Sequence, residues 1–161
     1  MRSGVRLGVD VGKVRVGIAS SDRDGLLATP VATIARADAD ERAFRILVEE
    51  YGVAEIVIGL PISLSGADTA STTDAREFAA AVSEWVEIPV RLVDERLSTV
   101  SAQRALRDSG RRTKGSRPVI DQVAAVIILQ NALDSERSAG RPPGVVVEPE
   151  SGADPFEIPV S

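Results

Sequence analysis

The chain contains neither histidine nor cysteine. The missing cysteine excludes disulfides, thiolate nucleophiles and zinc ribbons. The missing histidine excludes a Ser-His-Asp triad and any His-ligated metal. Hydrolytic chemistry must then rest on carboxylates, lysines, hydroxyls or a metal held by oxygen ligands. Aromatic residues make up only 3% of the chain, so the core is expected to be built from Val, Ile, Leu and Ala. No apolar run approaches the ~20 residues of a membrane span, and the N-terminus lacks the long apolar stretch of a secretory signal. No membrane partner is expected, and the cytoplasm is the expected compartment.

What is present fits one compact α/β domain: 161 residues, 43% hydrophobic and 27% charged. The net charge of −5 argues against a general nucleic-acid coat protein, but the charge is unevenly placed. Residues 136–161 carry five acids and two bases, which leaves residues 1–135 at −2. Between Gln103 and Pro118, six bases (Arg104, Arg107, Arg111, Arg112, Lys114, Arg117) accompany the single acid Asp108, a net of +5. Such a patch can steer a polyanion even on an acidic protein, although a solvated helix face would look the same.

Along the chain, Val5–Val11 and Val14–Ser20 read as two strands of a hairpin turning at Gly12-Lys13. A third strand, Leu26–Ile34, follows the turn-like Asp22-Arg23-Asp24-Gly25. The period then changes. Asp38 and Glu41 supply an N-cap and an N3 acid for a helix lined by Phe44, Leu47, Val48 and Tyr51, which Gly52 stops. Ala54–Leu60 is a nearly continuous apolar strand, as expected of one covered on both faces. After a polar loop over Pro61–Ser71, a second helix presents Ala75, Phe78, Ala79, Val82 and Val86. Ile88–Asp94 is a strand, Ser98–Ser109 a short helix and Gly110–Arg117 a basic loop. Pro118 opens a last helix to about Asp134, apolar on nearly all sides and therefore buried. The order β-β-β-α-β-α-β-α-α predicts a mixed sheet with helices on its faces. The expected boundaries are a domain over residues 1–135 and a flexible acidic, Pro-rich tail over residues 136–161.

Three places could carry chemistry. Asp10 sits inside an apolar run, where a carboxylate needs a partner or a cation, although a turn-forming Asp satisfied by backbone N–H groups is an equal reading. Asp94 and Glu95 follow an apolar strand at the end where sheets of this kind bind ligands. Alternation sends them to opposite sides, and does not say which faces a site. Asp121 lies in the first turn of the last helix, where the helix dipole alone would favour an acid.

Gly8-Val9-Asp10-Val11-Gly12, Arg15-Val16-Gly17-Ile18-Ala19, Ile58-Gly59-Leu60-Pro61, Asp94-Glu95-Arg96-Leu97-Ser98-Thr99 and Val119-Ile120-Asp121-Gln122-Val123-Ala124-Ala125 resemble, in order, the signatures of the YqgF (RuvX) nuclease family. The resemblance covers about residues 5–135. It implies an RNase H-like fold with a mixed five-stranded sheet, three antiparallel strands followed by parallel ones. It also implies an acidic triad at Asp10, Glu95 and Asp121, which selects Glu95 over Asp94. The implied activity is phosphodiester hydrolysis with Mg²⁺ or Mn²⁺, as a pair of ions bridged by Asp10. Processing of the 5′ end of pre-16S rRNA is the leading expectation. The alternatives are resolution of a Holliday junction, simplest for a homodimer, and a non-catalytic nucleic-acid-binding module. A nucleotide phosphotransferase of the actin-like kind would need a second copy of the domain. Structured RNA or branched DNA is the expected partner, with Arg15, Arg96, Arg111, Arg112 and Lys114 as candidate phosphate contacts. The chain departs from the family after Gly12, where Lys13-Val14-Arg15-Val16 replaces a Thr-Lys-Arg-Ile type sequence.

Overall fold

The computed structural model describes residues 2–97 and 117–148. The helix expected over Ser98–Ser109 and most of the basic loop, residues 110–116, lie outside the described residues. β1 (Val5–Val11), β2 (Arg15–Ser21) and β3 (Ala28–Ala35) form an antiparallel meander. Then come α1 (Glu41–Tyr51), β4 (Val53–Leu60), α2 (Ala70–Trp85), β5 (Val90–Asp94), α3 (Arg117–Ala139) and β6 (Val145–Val146). The sheet order is β3-β2-β1-β4-β5-β6, with β4 parallel to both β1 and β5. This is the expected RNase H-like arrangement of antiparallel followed by parallel strands, with a sixth strand added at one edge.

Local chemistry explains the boundaries. The β1–β2 turn closes with Gly12 N–H donating to the Arg15 carbonyl at 2.9 Å. A Cβ on Gly12 would stand 2.6 Å from that oxygen, so the turn requires glycine. β3 starts two residues later than expected because Asp22 Oδ1 accepts the N–H groups of Leu26 and Leu27, each at 2.8 Å. The N-cap of α1 is Asp40 rather than the expected Asp38. Asp40 is extended and accepts the Ala43 N–H at 3.0 Å, whereas Asp38 ends a 3₁₀ turn, Arg36–Asp38.

Strand alternation divides the core. Leu7, Val9 and Val11 of β1 join Ile56, Ile58 and Leu60 of β4 beneath α1 and α2. Their helix partners include Phe44, Phe78 and Trp85, whose rings meet at centroid distances of 5.8 to 6.0 Å. The aromatics among the described residues are thus concentrated in one layer. Val57, Val93 and Ala19 face the opposite way, under Ala125, Ile128 and Leu129 of α3. Gly8 lets α3 settle closely: a Cβ there would stand 2.6 Å from Leu129 Cβ and 3.0 Å from the Ala125 carbonyl.

Packing continues past the boundary expected at residue 135. Glu136 is only 5% exposed and receives Arg2 Nε at 2.8 Å, with Arg6 Nη2 at 3.6 Å. Arg2 also binds Glu55 at 2.9 Å, and Glu55 in turn receives Arg91 Nε at 3.2 Å. The network ties the N-terminus, the three strands β1, β4 and β5, and the end of α3 together. After Gly140 (φ 77°) the chain returns along β5, and β6 pairs with it. The start of the expected tail therefore packs onto the fold, because buried Arg6 binds Glu136 and β5 pairs with β6.

The Arg2 hydrogen bonds hold the Glu136 carboxyl below the usual carboxylate range. A lowered folded pKa contributes stability above the unfolded value of about 4.3, lost as pH falls through the folded value. Glu136→Ala should cost about 3 kcal/mol at neutral pH by stripping a buried arginine of its carboxylate. Urea denaturation from pH 7 downward should also show a shallower acid decline in Glu136→Ala than in wild type; parallel curves would contradict this role.

Candidate active site

The site builds from β1 outward across the α3 face of the sheet. Asp10 shares the alternation of Gly8, pairs with Gly17 of β2 and is 1% exposed. Val9 pairs with Ile58 of β4, so the next step in register sets Asp10 beside Gly59. On the far side, Gly59 pairs with Val93 of β5. β5 ends at Asp94, and a 3₁₀ turn, Glu95–Leu97, takes over.

That turn separates the two adjacent acids. Asp94 stays at the surface, where Arg96 grips both its oxygens at 2.7 to 3.2 Å, and Arg96 N–H donates to Oδ1 at 2.8 Å. The Arg96 side-chain hydrogen bonds hold the Asp94 carboxyl below its ordinary value. Glu95 instead turns inward and is 3% exposed. Its Oε2 lies 2.5 Å from where a Cβ on Gly59 would be. Neighbouring strands are about 4.8 Å apart. Glu95 therefore reaches across Gly59 toward Asp10, using the space that a side chain on β4 would fill. Two carboxylates thus converge on one buried face, and both offer hard oxygen donors suited to a divalent cation.

Because α3 starts at Arg117, Asp121 is its fifth residue and falls just past the first turn where it was expected; its side chain is outside the described residues. The direction of α3 is informative. Glu136 meets Arg6, and Leu129 and Ala125 meet Gly8, so α3 runs antiparallel to β1. From Ala125 to position 121 is about one helical turn of ~5.4 Å, and from Gly8 to Asp10 about 6.6 Å of strand. Position 121 is carried toward the end of the sheet that holds Asp10 and Glu95. Among the described residues no group of three metal-ligating side chains occurs.

Of the expected phosphate contacts, Arg15 shares the face of Ala19 and Asp10 by alternation along β2, two residues from Gly17. Arg96 is engaged with Asp94, while Arg111, Arg112 and Lys114 lie outside the described residues. Two residues had their roles hidden in the sequence. Gly59 was visible only as part of an apolar motif. Arg36 donates to the Gly12 carbonyl at 2.8 Å and to both Asp74 oxygens at 2.9 and 3.0 Å, stacking over Phe78 at 4.9 Å. It bolts the hairpin that carries Asp10 onto α2. The Asp74 hydrogen bonds raise the Arg36 pKa, and Arg36 lowers that of Asp74.

Residues 4–135 match a protein-family model described as RuvX, Holliday junction resolvase. A protein of Leifsonia xyli subsp. xyli named "Putative pre-16S rRNA nuclease" is 60% identical over 154 residues, covering 94% of this chain and 99% of the relative. One of the same name from Clavibacter michiganensis subsp. michiganensis is 59% identical over 158 residues, covering 96% and 98%. Among solved structures, T. thermophilus RuvC in complex with a Holliday junction substrate is similar at 16% identity and a TM-score of 0.49, covering 86% of this chain and 99% of that one.

Gly59→Ala tests the geometry. The new Cβ would collide with Glu95 and with Ile128 Cδ1, 2.6 Å away. Calorimetric Mn²⁺ affinity should fall about ten- to a hundredfold, as for displaced supporting groups at other metal sites. Gly8→Ala, which collides with α3 away from the carboxylates, should lose stability with a smaller change in affinity. Equal affinities for Gly59→Ala and wild type would contradict the assignment.

Proposed function

The chain belongs to the RuvX family, and we propose that it is a divalent-metal-dependent nuclease acting in the cytoplasm on the 5′ end of precursor 16S rRNA. What supports this reading is the burial of Asp10 and of Glu95, which lies over Gly59 on the strand next to Asp10. The names of relatives up to 60% identical support the RNA substrate. Among the described residues no helix is long and apolar enough to cross a membrane.

Asp10 and Glu95, with Asp121 from α3, would hold Mg²⁺ or Mn²⁺, as one ion or a pair. When bound, the metal supplies activation of the attacking water and neutralises charge on the leaving oxygen. The protein's own contribution is positioning. β1 fixes Asp10 inside the sheet, the 3₁₀ turn aims Glu95 over β4, and α3 closes the face against bulk water. Arg15 and the bases Arg111, Arg112 and Lys114 draw the phosphodiester backbone to that edge without reading its sequence. Arg96 does so as well, with its charge partly offset by Asp94.

The description of the matching family favours one second reading, resolution of a four-way DNA junction. That reaction needs two symmetric cuts and therefore a homodimer. Structured pre-rRNA and junction DNA presented side by side discriminate the two: faster cleavage of the RNA by a monomer supports the first reading, and paired cuts in the junction by a dimer the second.

Asp10→Asn should retain the fold and lose metal-stimulated cleavage on either substrate. Wild-type activity in that variant would remove Asp10 from the site. Wild-type protein that binds structured nucleic acid but cuts none of it, with either ion, would reduce the chain to a binding module.

A further inference from the structure

Glu95 borders a second feature that the carboxylate pair does not use. A cleft of about 150 Å³ opens beside it, between the end of β5, α3 and the returning chain at Pro143-Gly144. Its walls are Val93, Ile128, Ala132 and Pro143, and its polar groups away from the sheet are Asn131 and Ser135. Building on the nuclease reading above, we propose that this cleft seats one base, of single-ring size, from the nucleic-acid strand whose phosphate lies at Asp10 and Glu95.

Size, lining and charge each point to that occupant. A cavity of about 150 Å³ takes a single six-membered aromatic ring. The walls are apolar, as the faces of a base require. Asn131 and Ser135 stand four residues apart on one side of α3, and an Asn amide both donates and accepts, matching a base edge. The charged residues lining the cleft are both acidic, Glu95 and the Arg96-paired Asp94, so it favours a neutral ring over a phosphate. Because Glu95 belongs to both sites, a base held here is joined to a phosphate at the carboxylates.

The outer wall is fixed in advance. Gly144 (φ 78°) presses so closely on the Leu92 carbonyl that no Cβ fits. Arg91 Nη1 donates to the Pro143 carbonyl at 3.4 Å, and Val147 N–H to the Val90 carbonyl at 2.8 Å. This wall lies beyond residues 4–135, the part matched by the family model. A rigid slot loses little on ordering when the base enters.

The test measures binding without cleavage, in Ca²⁺, by fluorescence anisotropy of a labelled single-stranded oligoribonucleotide. A set of copies, each with one abasic nucleotide, locates the seated base. For wild type, one abasic position should weaken binding about tenfold, the scale of a single stacked base, and the others little. In the double variant Asn131→Ala/Ser135→Ala, and in Ser135→Leu, which fills the cleft, the intact strand should bind about as weakly as that abasic copy. Asn131 and Ser135 are exposed, so thermal unfolding midpoints should stay close to wild type. A penalty spread evenly over all positions, or one that persists in both variants, would overturn the proposal. So would free uridine or cytidine binding as tightly as the strand. A retained single-position effect without cleavage in Mg²⁺ or Mn²⁺ would count against the nuclease reading alone and support the subsite.

Discussion

Everything at this site depends on burying two carboxylates on one face of a sheet. Each costs several kcal/mol to remove from water, and together they repel. In the proposed reading, a bound divalent cation offsets part of that cost. The sheet makes the arrangement geometrically possible by leaving Gly59 bare between Asp10 and Glu95. Any side chain there would push Glu95 away, and the two acids would become unrelated residues on separate strands.

The remaining structure holds that face still. α3 closes over it, brought near by Gly8 and anchored at its far end through Glu136, Arg2 and Arg6. The hairpin that carries Asp10 is clamped from the other face by Arg36, which joins the Gly12 carbonyl to Asp74 on α2. The ion pairs around Glu55 and Glu136 hold the far end of the sheet, while Arg36–Asp74 and Arg96–Asp94 brace the end that presents the acids. α3 spans both ends: its last turns pack against Arg6, and Asp121 lies near its start.

Much of this was legible beforehand, for identifiable reasons. Alternation and turn chemistry located β1, β2 and β4; the apolarity of 119–133 implied a helix buried on nearly all sides, whereas its described part buries one face, Ala124, Ala125, Ile128, Leu129, Ala132 and Leu133, and leaves Val123 exposed. Alternation also required Asp94 and Glu95 to part, but it could not say which turned inward; the family-like motifs selected Glu95, and the structure buries it. What escaped was long-range. Nothing near Arg2, Arg6, Glu55, Arg91 or Glu136 in the chain shows that they meet, so the packing of Glu136, past the boundary expected at residue 135, could not be read from the sequence. Pro142-Pro143-Gly144 reads as tail chemistry, yet a glycine with positive φ let the chain fold back and add β6. Asp38 and Asp40 offer the same capping chemistry, and only backbone conformation decides between them.

The central claim is that one metal-binding locus spans β1, the Glu95 turn and the start of α3. Paramagnetic broadening of backbone amide signals by substoichiometric Mn²⁺, with no nucleic acid present, tests it most directly. The account predicts that the signals of Asp10, Gly59, Glu95 and the first turn of α3 vanish first and together, and that Asp10→Asn abolishes the effect. Broadening centred elsewhere, or confined to exposed acids such as Asp40 and Glu41 on α1, would contradict it.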